Sequence, residues 1–402
     1  MKSTKNKFGI RPFLTFGVYT LYLALLYISF DILVGLVLID DDNCFKNHPL
    51  PPYGAVITAH QRKVFERLSV QNYQSYIVFD QHLGWTIGCN RTGKDGMYVS
   101  NSHGIRATRE YSYEIPKGIT RITVFGDSFA ECVNVRNEQS WPFLLEKSSK
   151  HFEVLNFGVR AYGTDQAFLR YRRDGRKFQQ HIVLIGFMLE NIRRNVNRYR
   201  PTYEHNTGGL GVKPRFINTK EGLVLLPNPV SSTQELKRLI TEGRLFEIVG
   251  PNDYWYEKFK IAFNQESFLF HSNILKTAWL GYEKYERNLK RIYNNVDGEP
   301  FIVTARILKK FYDEALHDGA EKALVLILPS ENQIEYYLDH SNKYWQPLLN
   351  FFEQNQIPYI DVTDRLAAEH LKNSVIYGHY TPFGNEIVKS VIVDWFQAIQ
   401  KL

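Results

Sequence analysis

Ser128 occupies the position in this chain that is best suited to nucleophilic chemistry. It follows an apolar run at 121–125 (RITVF) and a Gly–Asp pair at 126–127. The run is typical of a buried strand, and Gly126 permits a tight turn after it. In an open α/β sheet the carboxyl end of a strand borders a crevice, and the first free N–H groups of the next segment bind negative charge. The pattern therefore predicts a nucleophile at Ser128.

Four short blocks follow one another along the chain. They are GDSF at 126–129, NFGVRAYG at 156–163, GFMLEN at 186–191 and YGHYTPFG at 377–384. In this order they resemble the SGNH (GDSL-type) superfamily of esterases and acyltransferases. An upstream LGW at 83–85 and N–x–x–G–x–R at 101–106 resemble its membrane-anchored, exported branch, which includes alginate O-acetylation-type proteins.

The resemblance implies a role for each of four residues. Ser128 would attack an ester, and His379 would act as its general base. The backbone N–H groups of Ser128 and Gly158 and the side-chain amide of Asn191 would stabilise the oxyanion, each donor being worth about 3 kcal/mol. Gly158 could instead be a turn glycine, and Asn191 could be a helix cap. The resemblance implies neither a metal nor an organic cofactor.

One part of the superfamily pattern is missing. Members usually carry an aspartate two or three residues before the histidine, where this chain has Ile376 and Tyr377. A backbone carbonyl could hold the imidazole of His379 instead, or Asp361 or Asp364 could supply the acid from another position. In the third interpretation the site binds without turnover, since the orienting carboxylate of a serine triad is worth about 10⁴ in rate.

The resemblance therefore leaves several functions open. The first is an esterase that removes acyl groups, in the first instance acetyl, from a carbohydrate. A transferase would share the site and differ in its acceptor, and a glycan-binding pseudoenzyme would keep only the cleft. A purely structural envelope protein would not account for four blocks in order.

Apolar runs alternate with amphipathic segments after residue 119. Strands are predicted at 121–125, 152–158, 181–189, 322–329 and 357–362, and helices at 139–150, 164–179, 300–317, 344–354 and 383–402. This alternation predicts an α/β fold. Together with the resemblance it gives three α/β/α layers around a parallel, five-stranded, flavodoxin-like sheet, preceded by one transmembrane helix.

The run 13–39 is long and apolar enough to cross a bilayer as a helix. Basic residues precede it and Asp40 to Asp42 follow it, so the positive-inside rule places the N-terminus in the cytoplasm and the rest outside. Asp31 lies at the far interface if the span ends near Phe30, whereas a deeper position requires a partner. A cleaved secretory signal is the alternative, although no A-x-A site follows the run.

These observations divide the chain into four parts. They are a cytoplasmic tail (1–12), a membrane anchor (13–39), a stalk and edge-covering segment (40–118) and an SGNH-like domain (119–402) with an insertion at about 198–298. The insertion is too long for a plain loop, which predicts a lid or subdomain. Its basic and aromatic residues could line a glycan cleft, or it could be a solvated structural insert.

The composition is that of a folded protein with a mildly basic surface. Of 402 residues, 44% are hydrophobic, and the formal net charge of +7 is spread along the chain. That distribution suits an acylated glycan or an anionic membrane and gives no indication of nucleic-acid binding. The three cysteines allow one disulfide, for which Cys44–Cys89 is the predicted pair, or all three could be free.

Overall fold

The computed structural model describes residues 10–68, 75–94, 96–370 and 373–400. Of the predicted cytoplasmic tail, only the backbone from Ile10 onward falls within these ranges. Helix α1 (Ile10–Leu38) begins the described chain, and most of its side chains are exposed. Within the described ranges it is the one helix long and apolar enough to span a membrane, over Phe13–Leu38. A secretion signal can have the same length and composition.

The segment after α1 consists of one short helix and small hairpins. These elements are β1 (Cys44–Phe45), β2 (His48–Pro49), α2 (Ala59–Arg67), β3 (Ile77–Asp80), β4 (Gly84–Ile87), β5 (Thr92–Gly93) and β6 (Tyr98–Val99). Several residues join this segment to the domain that follows, among them Trp85 and Arg106. The Trp85 indole donates to the Arg160 carbonyl at 3.0 Å, and buried Arg106 donates to the carbonyls of Cys132 and Val135 at 2.7 and 2.6 Å.

The first half of the domain alternates strands with helices. Its elements are β7 (Thr120–Phe125), α3 (Ser128–Glu131), α4 (Trp141–Lys147), β8 (Phe152–Asn156), α5 (Thr164–Arg173), β9 (Ile182–Phe187) and α6 (Asn191–Arg194). The helix predicted at 164–179 ends early, at Arg173, and Gly175 starts a separate 3-10 turn. Glycine weakens a helix interior, which explains the break.

An inserted region separates α6 from the second half of the domain. It contains β10 (Arg215–Thr219), β11 (Gly222–Leu226), α7 (Thr233–Thr241), α8 (Leu245–Val249), α9 (Tyr254–Lys258), α10 (Asn273–Glu286) and α11 (Leu289–Asn294). Buried Glu283 of α10 joins this region to the N-terminal segment, because it accepts hydrogen bonds from Tyr53 at 3.1 Å and from His205 at 3.0 Å.

The second half of the domain completes the sheet. Its elements are α12 (Glu299–His317), β12 (Lys322–Ile327), α13 (Glu331–His340), α14 (Gln346–Gln354), β13 (Tyr359–Asp361), α15 (Thr363–His370), β14 (Ile376–Tyr377), β15 (His379–Tyr380) and α16 (Pro382–Gln400). The sequence prediction missed α13 and α15, in which the only buried apolar residues are Ile334, Leu366 and Ala367.

Five parallel strands form the central sheet, in the order β13-β12-β9-β7-β8. Numbered along the chain, this is the 2-1-3-4-5 order of a flavodoxin-like sheet. Successive strand residues point to opposite faces: Val124 packs with α4, α15 and α16, whereas Phe125 packs with α5, α12 and α14. The predicted three-layer α/β/α fold is thus confirmed.

The predicted disulfide between Cys44 and Cys89 is not formed. Both residues and Cys132 are free cysteines, and Cys132 is buried. The predicted pair was therefore wrong, and burial fits Cys132 to a packing role.

Candidate active site

Ser128 lies at the carboxyl end of β7, as the first residue of α3. Asp127 caps this helix by accepting a hydrogen bond from the Phe129 N–H at 2.9 Å. Position 126 requires a glycine because neighbouring atoms lie too close for a side chain. A Cβ there would be 2.8 Å from both the Ala130 Cβ and the Gly186 carbonyl oxygen. β7 and β9 border the point where the strand order reverses, which is where open α/β sheets bind ligands.

His379 contacts the serine directly. Its Nε2 lies 2.8 Å from the Ser128 Oγ, within hydrogen-bond distance. The β14–β15 hairpin carries the histidine, with Gly378 at φ 65° in the turn, and the imidazole packs on the Phe129 ring at 4.9 Å. The sequence-predicted nucleophile and base are therefore neighbours in the fold, although they are separated by 251 positions in the chain.

The surroundings of His379 are positively charged. Burial, followed by the positive charges of Arg194, Arg160 and Lys94, lowers the pKa of His379 to about 4. Among the described residues, none accepts a hydrogen bond from its Nδ1. The imidazole is thus neutral at ordinary pH and ready to accept the serine proton, but it is a weak base, and no described acceptor at Nδ1 fixes its tautomer.

Neither of the predicted replacement acids reaches His379. The Asp361 carboxylate accepts from the Trp345 indole at 3.1 Å and pairs with Lys343 at 3.0 Å, and Asp364 pairs with the same lysine at 2.6 Å. Asp361 is the last residue of β13, the strand at the edge of the sheet, and Asp364 lies in α15 just after it, so both are away from the switch point. The prediction that either one orients the histidine was therefore wrong, because Lys343 holds both carboxylates.

Two of the three predicted oxyanion donors are already engaged. The Gly158 N–H donates to the Asn156 Oδ1 at 2.9 Å, so the prediction that it faces the oxyanion does not hold in this structure. The Asn191 amide donates to Asp127 at 2.9 Å, which leaves its second N–H. The Ser128 N–H donates to no described residue and stays available.

Gly158 has a packing role that the sequence did not reveal. A Cβ at this position would overlap the backbone of Ala130 and Glu131, which lie in α3 with the nucleophile. Glu131 is fully buried and pairs with Arg160, two residues after the glycine. The NFGVRAYG block therefore positions α3 by the close contact at Gly158 and by the ion pair of half-buried Arg160 with buried Glu131.

A cleft of about 530 Å³ opens at the Ser128 hydroxyl. Side chains that sequence reasoning had not selected line much of it: Arg160, Glu190, Arg194, Arg200, Thr207 and Glu331. Arg160, Glu190 and Glu331 lie within four residues of the end of β8, β9 and β12, and that position was the signal that could have identified them. The Gly378 N–H donates to Glu331 at 3.3 Å, which links α13 to the hairpin of His379.

A second cavity, also of about 530 Å³, adjoins the cleft at Asn332. Exposed Lys284 and Lys290 line it, together with the rings of Tyr336 and Tyr344. The cleft therefore continues into a basic and aromatic surface that could accommodate more than a single ester group.

No protein-family model and no curated protein sequence matches the chain. Among solved structures, a member of the lipolytic G-D-S-L family from Veillonella parvula is similar at 12% identity, covering 69% of this chain and 98% of that chain with a TM-score of 0.35. A catalytic mutant of an acetylxylan esterase from Geobacillus stearothermophilus is similar at 10% identity, covering 70% and 94% with a TM-score of 0.35. Structural similarities this low give no information about the activity of this chain.

The chain therefore has a flavodoxin-like α/β/α fold in which a serine follows the first strand of the sheet and a histidine precedes the last helix.

Proposed function

We propose that the domain is a serine esterase that removes O-acyl groups, in the first instance acetyl, from a carbohydrate. The observation that carries this proposal is the 2.8 Å contact between the Ser128 Oγ and the His379 Nε2 at the mouth of a cleft. A serine hydroxyl needs a base at this distance to become a nucleophile.

The proposed reaction follows from these atoms. As the Ser128 oxygen bonds to the ester carbon, its proton passes to the His379 Nε2, and the oxyanion meets the Ser128 N–H and the second N–H of the Asn191 amide. His379 then gives the proton to the departing sugar oxygen, and water repeats the sequence to release the acid. Without an orienting carboxylate this reaction is expected to be slow, by up to about 10⁴ against a complete triad.

Two observations support a carbohydrate as the substrate. The cavity next to the cleft offers the rings of Tyr336 and Tyr344, and Tyr377 is 82% exposed two residues before the histidine. Aromatic surfaces with a few fixed polar groups are typical of small-molecule and cofactor sites. The lysines of the second cavity would favour an acylated glycan that also carries negative charge.

Membrane anchoring is part of the same proposal. We infer that α1 crosses a bilayer with its N-terminus in the cytoplasm, because basic residues precede the helix and Asp40 to Asp42 follow it. The domain would then face the periplasm or the cell exterior, where exported polysaccharides lie.

A second candidate function is glycan binding without turnover. It is favoured by the Nδ1 of His379, which has no partner among the described residues, and by the hydrogen bond that already occupies the Gly158 N–H. Such a protein would keep the cleft and would leave Ser128 unreactive.

Reaction of the full-length protein in detergent with a fluorophosphonate tests the proposal. We expect intact-mass analysis to show one adduct, which is lost in Ser128→Ala and in His379→Ala but kept in the control His317→Ala, an exposed histidine at the end of α12. Acetate release from acetylated glycans would then follow. A folded protein that forms no adduct would exclude the esterase and leave glycan binding.

A further inference from the structure

Helix α1 meets the inserted region at the start of α10. The Asp31 carboxylate accepts hydrogen bonds from the Ser272 hydroxyl at 2.6 Å and from the Ile274 N–H at 2.9 Å. The Tyr27 hydroxyl lies 2.6 Å from the same serine hydroxyl. A carboxylate at the first N–H groups of a helix is favourable, because these groups carry partial positive charge. α1 is therefore attached to the domain at a specific point.

The two helices can approach this closely because α1 has a glycine, Gly35, at the contact. A Cβ at Gly35 would collide with the amide of Asn273, the first residue of α10. The Asn273 amide also donates to the Asp31 carbonyl at 3.3 Å. One turn of α1, from Asp31 to Gly35, thus rests on the first turn of α10.

The apolar surface of α1 continues beyond this contact. Leu38 lies seven residues after Asp31, about 10 Å further along the helix at 1.5 Å per residue. Leu36 is 80% exposed and Val37 is 67% exposed in this part. A bilayer that covers these residues also covers Asp31, and a carboxylate at that depth needs a partner. Ser272 and Ile274 supply it, so the first turn of α10 lies at the same depth.

The outer face of α10 suits that depth. Leu275, Ala278, Tyr282 and Tyr285 are exposed at helical spacing, while Trp279, Leu280 and Glu283 face the protein. In the turn just before α10, Phe268 is 77% exposed. An outer face this apolar is unusual for a water-exposed helix, and tyrosines are common at membrane interfaces.

We propose that the turn 268–271 and the exposed face of α10 form a membrane-contacting surface. This surface would lie at the boundary between headgroups and acyl chains, on the domain's side of a phospholipid bilayer. The inference rests on the membrane placement of α1 and is independent of the esterase reaction. Asp31 becomes the residue that joins the anchor to this surface.

Nitroxide labels on the full-length protein in phosphatidylcholine nanodiscs test the proposal. Cys44 and Cys89 are replaced by serine, and single cysteines are introduced as Phe268→Cys and Leu275→Cys. Two control labels accompany them: Tyr22→Cys in the middle of α1, and Val224→Cys on the exposed β10–β11 hairpin. Accessibility to oxygen and to a water-soluble nickel chelate is compared for each label, after thermal unfolding shows that each variant is folded.

We expect the labels at 268 and 275 to be at least several-fold more protected from nickel than the label at 224, and to resemble the label at 22 in oxygen accessibility. The membrane-contacting surface alone would be overturned if the labels at 268, 275 and 224 were equally accessible to nickel while the label at 22 lay in lipid. A water-accessible label at 22 would overturn the anchor and this surface together. Neither result would affect the fluorophosphonate reaction at Ser128.

Discussion

At the scale of single residues, the electrostatic environment of His379 determines when the site can react. Burial and three cations, led by Arg194, lower the pKa of this histidine to about 4, and only the neutral imidazole accepts a proton. The reactive form is therefore present above pH 4 and is lost as the pH falls through that value. We expect the fluorophosphonate labelling rate to be level from about pH 8 to about pH 5 and to fall tenfold per unit below about pH 4.

A midpoint near 6.5 would contradict this prediction. The variant Lys94→Gln provides a directional check, because exposed Lys94 contributes to the low pKa of His379 and its loss should move the acid limb to higher pH. Lys322→Gln, at the opposite end of the sheet, should leave the profile unchanged.

Asp127 is expected to stabilise the folded protein. Its buried carboxylate accepts from the Phe129 N–H and from the Asn191 amide, so Asp127→Ala leaves two buried donors without a partner. We expect the free energy of unfolding to fall by about 1–3 kcal/mol in urea titrations. Asp364→Ala, which removes an exposed partner of Lys343, should cost no more than about 1 kcal/mol. Equal losses in both variants would contradict the role given to Asp127.

Sequence patterns identified candidate site residues better than they identified the hydrogen-bond and ion-pair partners of those residues. They selected Ser128 and His379, which lie 2.8 Å apart, while the roles of these residues stay predictions. They failed for Gly158, because a hydrogen bond to a side chain two residues away leaves no trace in spacing. They also failed for the acids, since nothing in the sequence reveals that Lys343 holds both carboxylates.

At the scale of elements, the contact between the second block and α3 controls the position of the nucleophile. A Cβ at Gly158 would overlap the α3 backbone, which cannot move without shifting Ser128. We expect Gly158→Ala to cost about 1–3 kcal/mol of stability. We also expect the fluorophosphonate labelling rate to fall at least about a hundredfold, as a misplacement of about 1 Å costs that much.

Gly281→Ala is the matched control for this substitution. Gly281 lies inside α10, and a Cβ added there would have nothing within 4 Å. Alanine should therefore leave labelling unchanged and raise stability by up to about 1 kcal/mol. Normal labelling in Gly158→Ala would show that α3 tolerates displacement.

The five strands were accessible from the sequence because each is a short apolar run bounded by turn residues, whereas their flavodoxin-like arrangement was implied by the family resemblance. The inserted region was not, since its short helices carry mixed apolar and polar residues and pack through aromatic contacts such as Trp255 with Phe259. Periodicity alone cannot arrange such elements in space.

At the scale of the whole molecule, α1 and the domain form one connected structure. The Ile274 N–H donates to Asp31, more than 240 residues earlier, so its protection from hydrogen exchange depends on α1. We expect this amide to exchange at least tenfold faster in the fragment 41–402 and in Asp31→Ala than in the full chain in detergent. The Ile334 N–H, bonded to the Ser330 carbonyl in α13, should exchange equally in all three proteins.

The contact between Asp31 and α10 also sets an order of events during biogenesis. The N-terminal helix is synthesised first, some 240 residues before the serine and the amide that satisfy its carboxylate. If α1 is the proposed membrane anchor, its carboxylate would stay unpaired until the inserted region folds, which would cost up to about 3 kcal/mol of insertion free energy. Folding of the exported domain would remove that cost, so maturation of the domain would stabilise the anchor that delivered it.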